Sequence, residues 1–424
     1  MAVLAYRNKS ILQPVVIYGI WMSIYPITTL FYYRVLNNPL NAVVPDFNGQ
    51  EIRKYAELSA AAIIGLIVSF AGLKIKRENG NPIPSEILQK TRGKIFFVLS
   101  VIFLGVLYAL AFKYRDIFLD AYVYQELRAT NWDPRIANVV NQVTTIEILF
   151  LICIQAYLVL NTKSMEKRKI IKEILVIGLF YLALKIMIGS RILFVVYAIS
   201  AVFCLVQIKS KIKYGKIVPS VLAFLVLLIL FNMVRNPENG LSEAAADFGK
   251  EFVFASISAI YSVGYSGEPG TPNISAVIAD TLTSIVPSSL FGGAENKFAL
   301  LDYESWKESI GGYTAISPIG GYYLPGQIYL FTGSLMAVFI FFFFYGRILV
   351  AAQKSFKRSK NAWVRLVSLQ ILTFGVVFGV RTELWVLLKM YIQQFFILTF
   401  VLALIYSASR IGLKSRKSLV AKTH

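Results

Sequence analysis

Apolar residues run through this chain in long blocks, separated by short stretches in which Lys and Arg collect. A block of about 18 or more apolar residues can cross the roughly 30 Å hydrocarbon core of a bilayer as a helix. The pattern predicts ten such spans: about Ile11–Tyr33, Tyr55–Leu73, Ile95–Phe112, Ile136–Leu160, Ile174–Ile188, Ile192–Ile208, Ile217–Val234, Tyr323–Tyr345, Trp363–Val380 and Trp385–Ser407. The first block is long enough to stay as a span rather than leave as a signal peptide. One interval breaks the rhythm. Residues 235–322 carry charge, Gly, Pro and aromatics, and cannot cross lipid as a simple helix because backbone and charged groups would be stranded there. The chain therefore divides into spans 1–7 (residues 1–234), a large loop (235–322), spans 8–10 (323–410) and a basic tail (411–424).

The loop has internal order. Ser242 before Glu243 and Ala244–Ala246 predicts a capped helix running towards Tyr261. Gly264 to Pro272 is a breaker segment, and Ile274–Val286 is a second apolar helix, too short to span and suited to the interface. A polar stretch with Glu295, Lys297, Asp302, Glu304, Trp306, Lys307 and Glu308 follows. Alternating helices, breakers and aromatics predict a folded lid over a membrane cavity, and a loop of this length is usually functional.

Composition agrees with the pattern. Of 424 residues, 57% are hydrophobic and 16% charged, against about 45–50% and 25% in a soluble domain, and mean hydropathy is +0.63. The net charge of +20 is spread over short clusters between spans, which marks the cytoplasmic side of a membrane protein and not a nucleic-acid surface. Both termini are accordingly placed in the cytoplasm and residues 235–322 outside it. Cys153 and Cys204 lie inside apolar runs and are read as packing residues.

Candidate chemistry gathers at the outer ends of the spans. Arg191 sits in the tight corner Gly189-Ser190-Arg191, where a fixed guanidinium offers a bidentate fork to phosphate. Lys185 lies just below, inside an apolar run, either as a functional cation or in an ion pair with Glu147. Arg235 and Arg381 close spans seven and nine, and Lys389 shares a helix face with Gln393. Cations from several helices at one depth form a basin for an anionic headgroup such as a pyrophosphate. Among the external carboxylates, Glu383, Asp302 and Glu304 are candidate general bases, and Tyr313 and Tyr323 are candidates to face sugar. The sole histidine is His424, so histidine catalysis outside is not expected. Neither a phosphate-cradling Gly-Lys-Ser/Thr loop nor a metal-ligand cluster stands in the sequence, so no cofactor is expected and the substrate must arrive activated.

The chain resembles the Wzy-type O-antigen polymerases, which join oligosaccharide repeat units at bacterial inner membranes. The resemblance rests on Ile188-Gly189-Ser190-Arg191, on the late large loop, and on Gly312 to Gly326, where Ser317-Pro318-Ile319 and Tyr323-Leu324 fit a family pattern. Gly321 stands where that pattern has Glu, so no role for that acid carries over. The resemblance implies an all-α polytopic membrane protein of about ten spans with a GT-C-like fold and a partly helical periplasmic loop. It implies a metal- and nucleotide-independent glycosyltransferase acting on undecaprenyl-pyrophosphate-linked units, with a chain-length regulator as an expected partner. An O-antigen ligase, which uses a loop histidine, and a flippase of lipid-linked glycans are the competing readings.

Side assignment is open to direct measurement. An oxidation-dependent periplasmic reporter fused at Glu304 is expected to be active and one at Lys213 silent; the reverse pattern would invert the topology.

Overall fold

The computed structural model describes residues 14–34, 47–70, 86–115, 117, 134–161, 167–188, 192–208, 226, 240–286, 290, 300–311, 322–359, 361–393, 395 and 397. Among these there is no strand. The helices are α1 (Pro14–Arg34), α2 (Gly49–Phe70), α3 (Glu86–Lys113), α4 (Pro134–Asn161), α5 (Lys167–Ile188), α6 (Ile192–Ile208), α7 (Leu241–Tyr265), α8 (Ile274–Ile285), α9 (Asp302–Ser309), α10 (Leu324–Thr332), α11 (Leu335–Arg358) and α12 (Ala362–Arg381). A further helix, α13, covers Leu384–Gln393. Among the described residues, four helical stretches are long and apolar enough to cross a membrane: Gly93–Lys113 in α3, Gln142–Asn161 in α4, α11 and α12. The seventh predicted span lies outside the described residues except Val226.

Local chemistry sets the helix ends. The Asn48 side chain accepts the Gln50 and Glu51 N–H groups while the Glu51 carboxylate accepts the Asn48 N–H, a reciprocal cap that starts α2. Asn273 caps α8 through the N–H groups of Ser275 and Ala276, and Asn361 caps α12 through Trp363. The eighth predicted span, Tyr323–Tyr345, is corrected by the structure. Gly333 takes a left-handed conformation (φ 62°) and ends α10, then Ser334 caps a new helix that runs on to Arg358. The membrane-length element is therefore α11, and α10 is a separate short helix at its head.

Packing sorts the helices. α3 pairs along α4, with Gly93 against Asn161 and Phe97 against Tyr157, so the two run antiparallel. α2 and α11 run parallel: a side chain at Gly65 would press on the Phe339 backbone, and Gly346 meets Leu66 and Ser69. In α12, 78% of the apolar window is buried against 28% in α3, which puts α12 at the centre and α3 at the rim. Gln155 of α4 donates to Ser200 of α6 and to Thr373 of α12, which ties the centre together. The exposed faces are apolar, as lipid requires: Val98, Val101 and Ile102 on α3, Leu179 and Phe180 on α5, Ile340 and Phe344 on α11.

The loop does not simply cover this bundle. Its first helix, α7, is packed within it, against α1, α2 and α10. Small residues make the close approach possible: Ala255, Ser256, Ser258, Ala259 and Ser262 are buried, with Ser256 accepting from Tyr55 and Ser258 from the Tyr323 N–H. Sequence pattern alone could not place α7 inside, because Glu243, Asp247 and Lys250 give its first half a solvated look.

The crossing of α7 and α10 tests this packing. A Cβ at Gly326 would lie 2.4 Å from the Cα of Ala259. Gly326→Val is expected to destabilise the protein by about 1–3 kcal/mol or more, read as a lower melting temperature in detergent. Gly105→Ala, with nothing within 4 Å of the added carbon, should not lower it.

Candidate functional site

Polar groups converge where α12 stops and α13 begins. After Arg381, Thr382 is extended (φ −139°, ψ 158°), which breaks the helix, and the Glu383 carbonyl accepts the Leu387 N–H to open α13. The Glu383 carboxylate thus sits at a helix N-terminus, where the backbone dipole favours negative charge. It receives the Lys307 ammonium of α9 at 3.0 Å. Both residues are buried, at 2% and 7% exposure. The Lys307 ammonium also lies 4.7 Å from the Tyr303 ring centre and 5.9 Å from that of Tyr322, close enough for cation–π attraction.

A surrounding polar frame holds α9 in place. Leu301 offers no side-chain cap, and the Asp280 carboxylate of α8 accepts the Asp302 and Tyr303 N–H groups instead, each at 2.9 Å. Burial pushes the Asp280 carboxyl above the usual carboxylate value, while those two N–H groups pull it back. Gln327 of α10 bridges the other side, accepting the Leu384 N–H at 2.7 Å and donating to the Tyr303 hydroxyl at 3.2 Å. Tyr303 stacks on Trp306, which meets Tyr265 of α7 edge-on.

Further polar groups lie on α1, α12 and α13. Arg381 is half-buried, and the Tyr25 phenol of α1 lies within its electrostatic reach. The Lys389 ammonium is 5.7 Å from the Trp385 ring centre. The Tyr25 hydroxyl and the Trp385 indole N–H are buried and have no hydrogen-bond partner among the described residues.

The sequence-predicted residues divide into three groups. Arg381 and Lys389 flank Glu383 along the α12–α13 corner, Arg381 near Tyr25 and Lys389 against Trp385. Lys185 does not: it pairs with Glu147 at 2.7 Å, 1% exposed, and the Tyr181 hydroxyl also donates to Glu147, so the ion-pair alternative describes it. Tyr323, expected to face sugar, is wholly buried, stacked on Tyr25 and donating its hydroxyl to the Met22 carbonyl, because α10 is packed into the bundle. Asp302 is exposed at the start of α9, and Glu304 lies on α9 with its side chain outside the described set. Arg191, Arg235 and Tyr313 lie outside the described residues. Lys307 was missed: between Trp306 and Glu308 it reads as part of a solvated stretch, and the four-residue spacing from Tyr303 was its one local signal.

Comparisons with protein-family models, with curated proteins and with solved structures give no match. Fold and site together define a membrane protein that is all-α among its described residues, with four helices long and apolar enough to cross a bilayer.

Removing one partner of a buried ion pair strands the other charge, at a cost of about 3–5 kcal/mol. Lys307→Ala and Glu383→Ala are each expected to lose about that much stability, measured by thermal unfolding in detergent. The double variant Lys307→Met/Glu383→Leu should lose less than either single change.

Proposed function

We propose that this protein is a bacterial inner-membrane glycosyltransferase that polymerises undecaprenyl-pyrophosphate-linked O-antigen repeat units at the periplasmic face. The observation that carries the reading is the buried Lys307–Glu383 pair at the α12–α13 corner, with Arg381 and Lys389 on the two helices that meet there. An enzyme of this class needs fixed cations where negative charge develops on a departing pyrophosphate. It also needs a carboxylate within reach of the acceptor hydroxyl, and a folded segment that keeps water out while the glycan is transferred. A GT-C-like architecture of about ten spans, termini in the cytoplasm and a chain-length regulator as partner belong to the same proposal, which the resemblance around Arg191 and Ser317-Pro318-Ile319 supports.

Purified protein in detergent, given lipid-linked repeat units, should lengthen them without nucleotide sugar or ATP. One undecaprenyl pyrophosphate should appear for each bond formed, and chelator should leave the reaction running. Loss of the gene should leave a single repeat on the lipopolysaccharide core. A flippase would release no pyrophosphate, and loss of a ligase would leave no repeat at all. Arg191→Ala should abolish polymer at normal protein abundance, and Arg191→Lys should retain little, because a point charge does not replace the guanidinium fork. A folded sample that makes no longer glycans from authentic substrate overturns the reading.

A further inference from the structure

We infer that α8 is a lipid-docking helix: its exposed face, with Ile274, Ile278 and Leu282, lies in the headgroup–acyl boundary of the bilayer at the membrane face where α11 begins, and anchors residues 235–322 there. Nothing in this assignment depends on the transfer reaction proposed above.

For a helix in water, α8 is inside out. Its buried side carries Asp280, Thr281 and Ser284 beside Val277 and packs on α9 and α10. Its outer side carries Ile274, Ile278 and Leu282, which are 40%, 52% and 59% exposed, with Ser275 and Ala279 between them. None of these outer residues is charged. The Ser275 hydroxyl is already used, donating to the Asn273 side-chain oxygen that caps the helix. A helix facing water would show the reverse, with its apolar stripe against the protein. The helix has 12 residues and reaches about 18 Å, short of the roughly 30 Å hydrocarbon core. It can lie on a bilayer but not cross one.

Contacts along the chain fix its level. The membrane-length helix α11 starts after Gly333, capped by Ser334, and Met336, Ile340, Phe344 and Ile348 form its exposed lipid-facing side. The head of α11 therefore marks one face of the membrane. Ser266, just past α7, donates to the Tyr329 carbonyl at 3.3 Å, one turn before Gly333. From there the chain turns back on itself. The Glu268 N–H donates to the Tyr265 carbonyl and the Thr271 N–H to that of Glu268, while the Thr271 hydroxyl returns to Tyr265 at 2.9 Å. Three residues later α8 begins, so it starts level with the head of α11, and it packs on α10, the helix that turns into α11. Its outer face thus continues a lipid-facing surface. Interfacial helices bury such a face about 5–10 Å into the boundary of headgroups and chains. Asp280, on the buried side, accepts the first two N–H groups of α9, so lipid against α8 also sets the height at which α9 presents Lys307.

Fluorescence quenching in phosphatidylcholine vesicles tests the docking on the full-length protein. An environment-sensitive fluorophore is attached through Ala279→Cys, on the outer face, or through Glu268→Cys, in the exposed turn before α8. Cys153 and Cys204 are buried, and the unsubstituted protein gives the background. Nitroxide-labelled lipid should quench the probe at position 279 at least about twofold more than the probe at 268, and iodide should do the reverse. A nitroxide near the headgroup should act more strongly than one at the chain end. Ile278→Asn/Leu282→Asn, which leaves the buried side of α8 untouched, should open the probe at 279 to iodide. Iodide reaching that probe without these changes overturns the inference, since the face would then be free for water or another protein. Stronger quenching from the chain end also overturns it, by placing α8 within the hydrocarbon core. Self-quenching that rises with the number of labelled copies per vesicle would give the stripe to a second copy of the chain instead of lipid. A probe that stays in lipid in the double variant would show that the stripe is not what holds α8, and sinks the inference equally.

Discussion

The contact between Lys307 and Glu383 joins two parts of the chain 76 residues apart, and much of the geometry at that end of the molecule follows from it. Neither charge can be buried alone: the effective penalty is several kcal/mol per ion even after relaxation. Once α9 is docked with its ammonium on Glu383, the remaining polar groups must also be met. Asp280 serves the start of α9, and Gln327 serves both the start of α13 and the Tyr303 hydroxyl. Each of these contacts comes from a different helix. The ion pair therefore fixes the relative positions of α8, α9, α10 and the α12–α13 corner together.

Below that corner the bundle is held by another recurrent device. Tyrosine hydroxyls reach across helix interfaces to backbone carbonyls: Tyr18 to Gly379, Tyr345 to Gly375, Tyr323 to Met22, Tyr197 to Ile174 and Tyr108 to Phe180. In lipid there is little hydrophobic force between helices, so ring packing and such hydrogen bonds supply specificity. At the opposite end, Arg365 donates to the carbonyls of Phe356 and Val159, joining the α11–α12 turn to α4.

Two buried Lys–Glu pairs make an instructive contrast. Lys185 and Glu147 meet between α5 and α4, with the Tyr181 hydroxyl and the Phe150 ring completing an enclosed cluster. Lys307 and Glu383 meet where α9 reaches the α12–α13 corner, with the rings of Tyr303 and Tyr322 beside the ammonium. The same two side-chain types thus join neighbouring spans in one place and a helix of residues 235–322 to the α12–α13 corner in the other.

Hydropathy along the chain determined the helical class and three landmarks between residues 240 and 286: the helix near Ser242, the breaker after Tyr265 and the short apolar helix ending near Val286. It also marked Arg381, Glu383 and Lys389, because charges at the ends of apolar runs are legible from spacing alone. The residues that only the tertiary structure decided share a different feature. Lys307 looks solvated between Trp306 and Glu308, Tyr323 looks like an interfacial ring, and Gly333 looks like one more residue in an apolar run. What each does depends on a partner brought from far along the chain: Glu383 for Lys307, Tyr25 and Met22 for Tyr323, Ser334 and the separate course of α11 for Gly333. Local sequence sets the free energy of entering lipid or forming a helix. It carries little about which buried charge will find its counter-charge, because that choice is made by the desolvation of both groups together when the helices pack.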